Sequence, residues 1–483
     1  MLRQAQHERL SDRLSEANPI IPSTSSGQPP SPAHSAPLRV AIITLGCKVN
    51  QYDTATIEDR LKAEGHALVP FTETADVYIV NSCTVTNQAD AESRQLARRA
   101  KRHSPAARVI MTGCYAQVNP KSVARVSEVD YVIGLNRLDD LLHAVKAELA
   151  ERIAISNLRK SEGGKPPGIN TLGALTFSGQ TRAFLKIQEG CDLFCTFCIV
   201  PMSRGKSRSV PPRMVLEQLD RLADQGFQEV VLTGIHLGGY GDDLDPRVDL
   251  TWLLEAIEER KPLPRVRLSS IDPHEISDSL VQLLAQAETL CPHLHIPLQS
   301  GDDMILSRMR RRYDSALARD VLTRLRETLP YAAFGTDLIV GFPGEGEDEF
   351  ARGLKFLEES PFTYFHVFPY SVRNGTTAAK FSNKVPQPLI DTRARQIRKL
   401  GEQKKAAFAR GFVGHTLPVL FEHTRDKTSG LLKGYSRNYL RVLAAGGDAY
   451  MNREVQVTIP RTNGESLWGE IRESRTQNSD SRP

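Results

Sequence analysis

Two lengths of the chain alternate short apolar, β-branched runs with longer amphipathic stretches, and a third carries only short β runs. The first length opens with Arg39-Val-Ala-Ile-Ile-Thr-Leu45, a continuous apolar run of the kind that forms a strand buried on both faces. Residues 50–65 then read as a helix, 75–81 as a strand, about 88–103 as a helix and 108–112 as a third strand with a helix near Pro120. A fourth strand at 131–134 leads into a helix over 137–150. Strand and helix repeat at about thirty residues, which requires right-handed crossovers and an open parallel sheet. From Arg182 a longer series begins, with strands expected at 183–187, 229–233, 265–270, 293–298, 334–340 and 364–368, and helices between them, for example at 211–225, 276–287, 315–328 and 347–359. Such a series predicts a partial (β/α) barrel whose chemistry sits at the C-terminal ends of its strands. A helix over 392–410 closes it. Beyond Gly411, five short runs (417–421, 430–435, 439–442, 454–459 and 467–471) predict a small β-barrel of the OB-like or a similar kind.

The fold class is therefore α/β: an N-terminal open parallel sheet, a central partial (β/α) barrel and a C-terminal small β-barrel. The expected boundaries are a disordered leader over 1–36, rich in Pro, Ser and Gly, the sheet unit over 37–150 and a polar Gly/Pro-rich linker over 151–180. The barrel unit then spans 181–410 and the small barrel 411–475, with a disordered tail over 476–483.

Composition narrows the partners without choosing one. The 483 residues carry 62 Lys and Arg against 57 Asp and Glu, a net charge of +5, which permits a nucleic-acid partner but does not demand one. No apolar run reaches the roughly 18–20 residues that span a bilayer, and the N-terminus lacks the apolar core of a secretory signal. No membrane partner and a cytoplasmic location are expected. Seven cysteines in such a chain do not suggest a disulfide framework; reduced thiols that hold a metal do.

Six of those cysteines carry the candidate chemistry. Cys191, Cys195 and Cys198 fall in one short loop as Cys-x3-Cys-x2-Cys. Three thiolates there can hold three irons of a 4Fe-4S cluster and leave the fourth open to a small molecule. A zinc loop is the alternative, but zinc loops supply two separated pairs and no matching pair follows. Cys47, Cys83 and Cys114 each lie just past an expected strand, so an open parallel sheet brings all three to one edge. Buried core thiols are the alternative there; a second three-cysteine cluster is the expectation. Cys291 has no partner in this scheme. Tyr435, Arg437, Asn438, Tyr439 and Arg441 interleave aromatic, polar and basic side chains, which suits stacking on unpaired bases as well as an ordinary solvated surface. Arg94, Arg98 and Lys101 share a helix face that could meet a phosphate backbone or water, and the run Arg308, Arg310, Arg311, Arg312 could neutralise an anion or simply face solvent.

With both cysteine sets in place, the chain resembles the radical S-adenosylmethionine methylthiotransferases over about residues 39–472. The motifs are Thr44-Leu-Gly-Cys47-Lys-Val-Asn50-Gln-Tyr-Asp53, Asn81-Ser-Cys83-Thr-Val-Thr86, Thr112-Gly-Cys114 and Lys186-Ile-Gln-Glu-Gly-Cys191. They continue with Arg204-Gly205, His295-Ile-Pro-Leu-Gln299-Ser-Gly301, Thr336-Asp-Leu-Ile-Val-Gly341-Phe-Pro-Gly344 and His366-Val-Phe-Pro-Tyr370. The resemblance implies two 4Fe-4S clusters, S-adenosyl-L-methionine, and an RNA-binding, TRAM-like C-terminal barrel. It implies that a radical removes a hydrogen and that the second cluster delivers a methylated sulfur. Gly234 and Gln299 are implied to meet S-adenosylmethionine. The stretches 44–53 and 231–241 look like the branch that modifies N6-threonylcarbamoyladenosine next to the tRNA anticodon; other branches act on isopentenyl-adenosine or on an aspartate of a ribosomal protein. An inactive iron–sulfur protein that binds RNA or senses redox state is the reading of another class. The implied partners are the tRNA anticodon loop, an electron donor that the sequence leaves unidentified, and a sulfur source.

Overall fold

The computed structural model describes residues 36–159 and 180–472. The expected leader, most of the expected linker and the tail lie outside the described residues. The N-terminal unit is a six-stranded parallel sheet: β1 (Arg39–Thr44), β2 (Ala67–Val69), β3 (Val77–Ser82), β4 (Arg108–Gly113), β5 (Tyr131–Ile133) and β6 (Ile153–Ala154), in the order β2-β1-β3-β4-β5-β6. Four of these follow from the apolar runs. The edge strands β2 and β6 are too short to show periodicity, and β6 carries the sheet past residue 150 into the stretch read as linker. Helices cover both faces, as parallel strands buried on both sides require. Three matter for the site: α1 (Lys48–Ala63), α2 (Asn87–His103) and the short α3 (Cys114–Val118).

The central unit is built from β7 (Arg182–Lys186), followed by the paired segments β8 (Gln188–Glu189) and β9 (Arg208–Ser209), then β10 (Glu229–Thr233), β11 (Arg265–Leu268), β12 (His293–His295), β13 (Ala333–Val340) and β14 (Tyr364–Pro369). The order is β11-β10-β7 in one half and β12-β13-β14 in the other. Single bridges, Val266 to Leu290 and Ser270 to His295, join the halves into a partial barrel. α1 packs beside the edge strand β7, so the N-terminal unit covers the barrel's open side, with Tyr52 and Ala55 of α1 inside the barrel's own apolar core. The short helix α4 (Val200–Arg204) follows the cysteine loop, and α5 (Gln387–Arg410) closes the unit. α5 starts five residues before the expected point, because prolines are tolerated in a helix's first turn, where their missing N–H is not needed.

The C-terminal unit is a closed five-stranded barrel of β15 (Thr416–Arg425), β16 (Leu432–Ser436), β17 (Arg441–Ala444), β18 (Glu454–Thr462) and β19 (Leu467–Ile471), around a core that includes Val419, Phe421, Val442 and Ile459. It docks on the end of the central barrel away from the cysteines. Arg265 donates to the carbonyls of Tyr435 and Ser436, and Arg267 to that of Arg437. Among the described residues no helix is long and apolar enough to cross a membrane.

Candidate metal centres on a shared edge

β1, β3 and β4 end side by side, and each is followed within three residues by a cysteine. Cys47 is the N-cap of α1, Cys83 follows β3, and Cys114 is the first residue of α3. Their convergence depends on tight backbone. Gly113 has φ +89°, and a Cβ there would sit 2.4 Å from the Ser82 carbonyl oxygen; a Cβ at Gly46 (φ +96°) would sit 2.9 Å from the Cys83 sulfur. Only glycine tolerates both the conformation and the approach. Asn50, fully buried, fastens the edge by donating from Nδ2 to the carbonyls of Leu45 and Ser82, while Asn81 donates to the Asn50 carbonyl. Burial pushes the Cys83 thiol up to about 12, and the neighbouring Cys114 and Cys47 sulfurs add to the shift; burial also raises Cys114. The three sulfurs therefore share one electrostatic neighbourhood.

The loop of Cys191, Cys195 and Cys198 lies past β8 at the barrel mouth. Gly190 opens it at φ +78°, where a Cβ would overlap the Lys206 carbonyl at 1.9 Å. Thr196 pins its centre: its N–H donates to Met309 O (3.0 Å), its hydroxyl to Arg308 O (2.8 Å), and its carbonyl accepts from Ala378 N (2.8 Å). Burial pushes the Cys191 thiol up to about 11 and Cys198 to about 12, with Cys195 adding to both. Arg311 donates to the Cys195 sulfur at 3.2 Å and pairs with Asp272 at 2.6 Å. From the arginine run, position 311 thus turns inward, whereas Arg308 donates to the Pro343 carbonyl. No sequence signal separates the two; only the fold does.

The donor sets discriminate between metals. All six cysteines are free. Three sulfurs around one zinc ion lie about 3.8 Å apart, given a Zn–S bond of about 2.3 Å. Among the described residues the single group of three or more potential ligand atoms that closes to within 4.8 Å is His295, Asp337 and His366, and neither cysteine triad does so. Neither group of three free thiols is therefore closed in the way a zinc ion requires. Cys291 is buried and its N–H donates to the Val266 carbonyl of β11.

Arg204 ties the edge of the sheet triad to the barrel mouth. Fully buried at the end of α4, it reaches Asp53 of α1 (2.8 Å), Glu189 (2.6 Å) and the Asn50 amide oxygen, and its charge acts on Cys114 and Cys47. Lys186 bonds the same two carboxylates, Asp53 at 2.7 Å and Glu189 at 3.2 Å. A second clamp is Arg373, past β14, which holds Thr84, Asn87 and Asp90 beyond Cys83 at 2.6–2.7 Å. The sheet's cysteine edge is thereby packed on the barrel mouth. Arg204 and Lys186 stood within quoted motifs, but nothing in the sequence said that both would turn inward to meet Asp53.

Gly234 follows β10 in this mouth, where a Cβ would press on Gln188 at 3.0–3.1 Å. Gln299, at φ +68°, bridges β13 through backbone bonds with Asp337 and Ile339. The interleaved stretch of the small barrel is placed differently from a free RNA face. Tyr435 and Tyr439 stack on each other with centroids 5.0 Å apart beneath Arg182. Arg437 binds Glu454 and the carbonyls of Glu288 and Pro264, Asn438 donates to Tyr331 O, and Arg441 pairs with Asp426. Arg437, Asn438 and the two tyrosines dock the two barrels, whereas Arg441 pairs within the small barrel. Arg94 and Lys101 are likewise tied inward, to the Tyr115 hydroxyl and to Asp130.

Comparison with known proteins agrees with this architecture. Residues 39–134 match a family described as Uncharacterized protein family UPF0004, and residues 185–357 match the Radical SAM superfamily. The Threonylcarbamoyladenosine tRNA methylthiotransferase MtaB of Bacillus subtilis (strain 168) is 39% identical over 87% of this chain and 93% of its own length. The protein of the same name from Aquifex aeolicus (strain VF5) is 39% identical over 79% and 92%. A tRNA-2-methylthio-N(6)-dimethylallyladenosine synthase of Clostridium botulinum (strain Okra / Type B1) is 30% identical over 89% and 96%. Among solved structures, the radical S-adenosylmethionine methyltransferase TsrM from Kitasatospora setae superposes with a TM-score of 0.52, at 15% identity, over 68% of this chain and 72% of that one, a likeness of fold.

Proposed function

The chain belongs to the tRNA methylthiotransferase family, and from that premise we propose that it replaces the C2 hydrogen of N6-threonylcarbamoyladenosine, next to the tRNA anticodon, with a methylthio group. The observation that carries this reading is the Arg204 network, which fastens the edge bearing Cys47 and Cys114 to Glu189, two residues before Cys191 at the barrel mouth. When bound, two 4Fe-4S clusters and S-adenosylmethionine supply the radical, the sulfur and the methyl group. Cys191, Cys195 and Cys198 would hold one cluster, and Cys47, Cys83 and Cys114 the other. Arg311 would direct its donor at the Cys195 sulfur, countering negative charge there. Gly234 and Gln299 would line the S-adenosylmethionine site. The Arg373 clamp and α1 close the barrel's open side, which excludes water from a site where a radical must reach one hydrogen.

In this reading the units are the sulfur-delivering sheet (37–150, extended by the edge strand at 153–154), the radical barrel (181–410) and the RNA-binding barrel (411–475). A cavity of about 470 Å³ between β14, α5 and the small barrel is the RNA-facing feature we assign; Lys405, Lys433 and His366 line it together with Tyr435, Tyr439 and Arg441 of the interleaved stretch. The greater identity to threonylcarbamoyladenosine enzymes (39%) than to the dimethylallyladenosine enzyme (30%) supports the choice of base. Mass spectrometry of tRNA nucleosides from cells with and without the protein tests it. The methylthio form of threonylcarbamoyladenosine should vanish on deletion; loss from the isopentenyl nucleoside instead overturns the choice.

A further inference from the structure

His295, Asp337 and His366 are ligating side chains that the reaction scheme above leaves unused. Strand pairing brings them together. β13 runs between β12 and β14, with His295 opposite Gly335 and His366 opposite Asp337. Gly335 and Asp337 are two residues apart on one strand, so all three side chains leave the sheet on the same face. His295 Nε2 lies 2.9 Å from Asp337 Oδ1, and His366 Nδ1 lies 3.1 Å from the same oxygen. The two imidazole rings stack with centroids 5.1 Å apart.

This spacing is that of a metal's ligand shell. A tetrahedral ion with bonds of about 2.0–2.2 Å holds its ligand atoms about 3.4 Å apart. The three donor atoms here all lie within 4.8 Å of one another. A carboxylate held by two histidines for structure alone can offer one oxygen to each; here both rings converge on Oδ1. The first ring is also backed. The Tyr364 hydroxyl stands 3.4 Å from His295 Nδ1 and 2.8 Å from His293 Nε2, the kind of outer contact that orients a ligating imidazole. The approach is open: the His366 side chain is 55% exposed and lines the cavity of about 470 Å³ beside β14.

We propose that His295, Asp337 and His366 form a site for one divalent ion of the zinc class, built from none of the six cysteines. Two imidazoles and one carboxylate favour zinc or iron(II) over magnesium or calcium, which take oxygen ligands. Three protein ligands leave a fourth position, and the cavity gives water or a substrate oxygen access to it. Asp337 cancels one of the ion's two charges, so the bound ion remains an electrophile toward such an oxygen. The ion would also tie the edge strand β14 to both of its neighbours in that half of the barrel. The site does not depend on which base the enzyme modifies.

The test is zinc binding to the reconstituted enzyme after passage over a chelating resin to remove loose metal. Calorimetry gives the affinity, and elemental mass spectrometry of the desalted protein gives zinc and iron together. The wild type should take up about one zinc per chain, at micromolar affinity or tighter, with its cluster iron unchanged. Losing an outer contact to a ligand costs about 10- to 100-fold in metal affinity, so Tyr364→Phe should bind about 10-fold more weakly. His366→Gln and Asp337→Asn, which remove ligands, should lose about 100-fold or more. His366→Cys should restore binding, because a thiolate replaces the ring as ligand. His366 stands exposed on an edge strand, so this pair carries the test if Asp337→Asn does not fold. Zinc should also raise the melting temperature of the wild type and leave that of His366→Gln where it is. A trio that is only hydrogen-bonded would produce none of these differences. A wild type that takes up no zinc, zinc that enters only as iron leaves, or zinc held as tightly by His366→Gln as by the wild type each overturns the proposal.

Discussion

Cys47, Cys83 and Cys114 come from three successive crossovers of a parallel sheet, whereas Cys191, Cys195 and Cys198 come from a single loop. The donor atoms are the same and the construction is opposite. The sheet triad has no local cohesion: its members are 31 to 36 residues apart, and only the side-by-side ends of β1, β3 and β4, stitched by Asn50 and Asn81, bring them together. The loop triad is close in sequence whatever the fold, but its orientation rests on contacts from distant segments, through Thr196 and Arg311. One triad therefore depends on fold for its existence, and the other for its aim.

The largest effect that separates the two is chemical. The reconstituted protein should bind about eight irons, two clusters of four. Cys83→Ala should lower this to about four and abolish methylthio transfer, while cleavage of S-adenosylmethionine to 5′-deoxyadenosine persists. Cys195→Ala should also leave about four irons but abolish both reactions. Iron assay and product chromatography read the difference. Equal iron in Cys83→Ala and wild type would remove the sheet triad from the scheme.

Next in size is the group that fastens the sheet triad's edge to the barrel. Arg204 is fully buried and holds Asp53 and Glu189, so Arg204→Met leaves two carboxylates short of a partner in the interior. Removing one member of a buried network costs about 3–5 kcal/mol. Chemical denaturation of the iron-free chain should show a loss of that order. The retained Lys186 bonds to both carboxylates keep the cost toward the lower end.

A smaller effect should come from the end of the barrel away from the cysteines. Burial by itself would raise the Glu229 carboxyl, but Arg267 and Arg265 bring it down to about 2 from the usual 4.5. A depressed carboxyl adds stability above its unfolded value and loses it as pH falls, so this contribution is complete above about pH 4.5 and gone near pH 2. The shift corresponds to about 3 kcal/mol. Because the same arginines hold the carbonyls of Tyr435, Ser436 and Arg437, acid should loosen the C-terminal barrel first. Melting of the iron-free chain between pH 5 and pH 3 should show the step, and Glu229→Gln should flatten it.

The contrast between the triads also sets what the sequence could reveal. The loop spacing is visible in one glance, and the sheet triad follows once apolar runs place each cysteine past a strand. The alternation of β and α gave the architecture, because a buried parallel strand must be a continuous apolar run. What stayed hidden were groups whose role depends on direction. Arg311 and Arg308 are alike in sequence, yet one meets a sulfur and the other a carbonyl. The aromatic and basic stretch over 435–441 carries an RNA-binding composition but is largely consumed in docking two barrels, since stacking and charge pairing serve either purpose. Periodicity reports burial, not which partner is met.

The smallest expected effect asks whether the loop triad really depends on distant backing. Thr196 stands between Cys195 and Phe197, and its hydroxyl donates to the Arg308 carbonyl at 2.8 Å while its backbone bonds Met309 and Ala378. Thr196→Val keeps the shape and the backbone bonds but leaves that carbonyl without the hydroxyl, at a cost of about 1–2 kcal/mol. Such a loss is too small to unfold a barrel with this much core, so it should act locally. Iron held by the loop triad, measured in a Cys47→Ala background that isolates it, should be released faster to a chelator than from the matching Thr196 protein. Iron held by the sheet triad, isolated by Cys198→Ala, should leave at an unchanged rate. Equal release from the loop triad with and without the hydroxyl would mean that Cys-x3-Cys-x2-Cys holds its own geometry, and that only the sheet triad is a product of the fold.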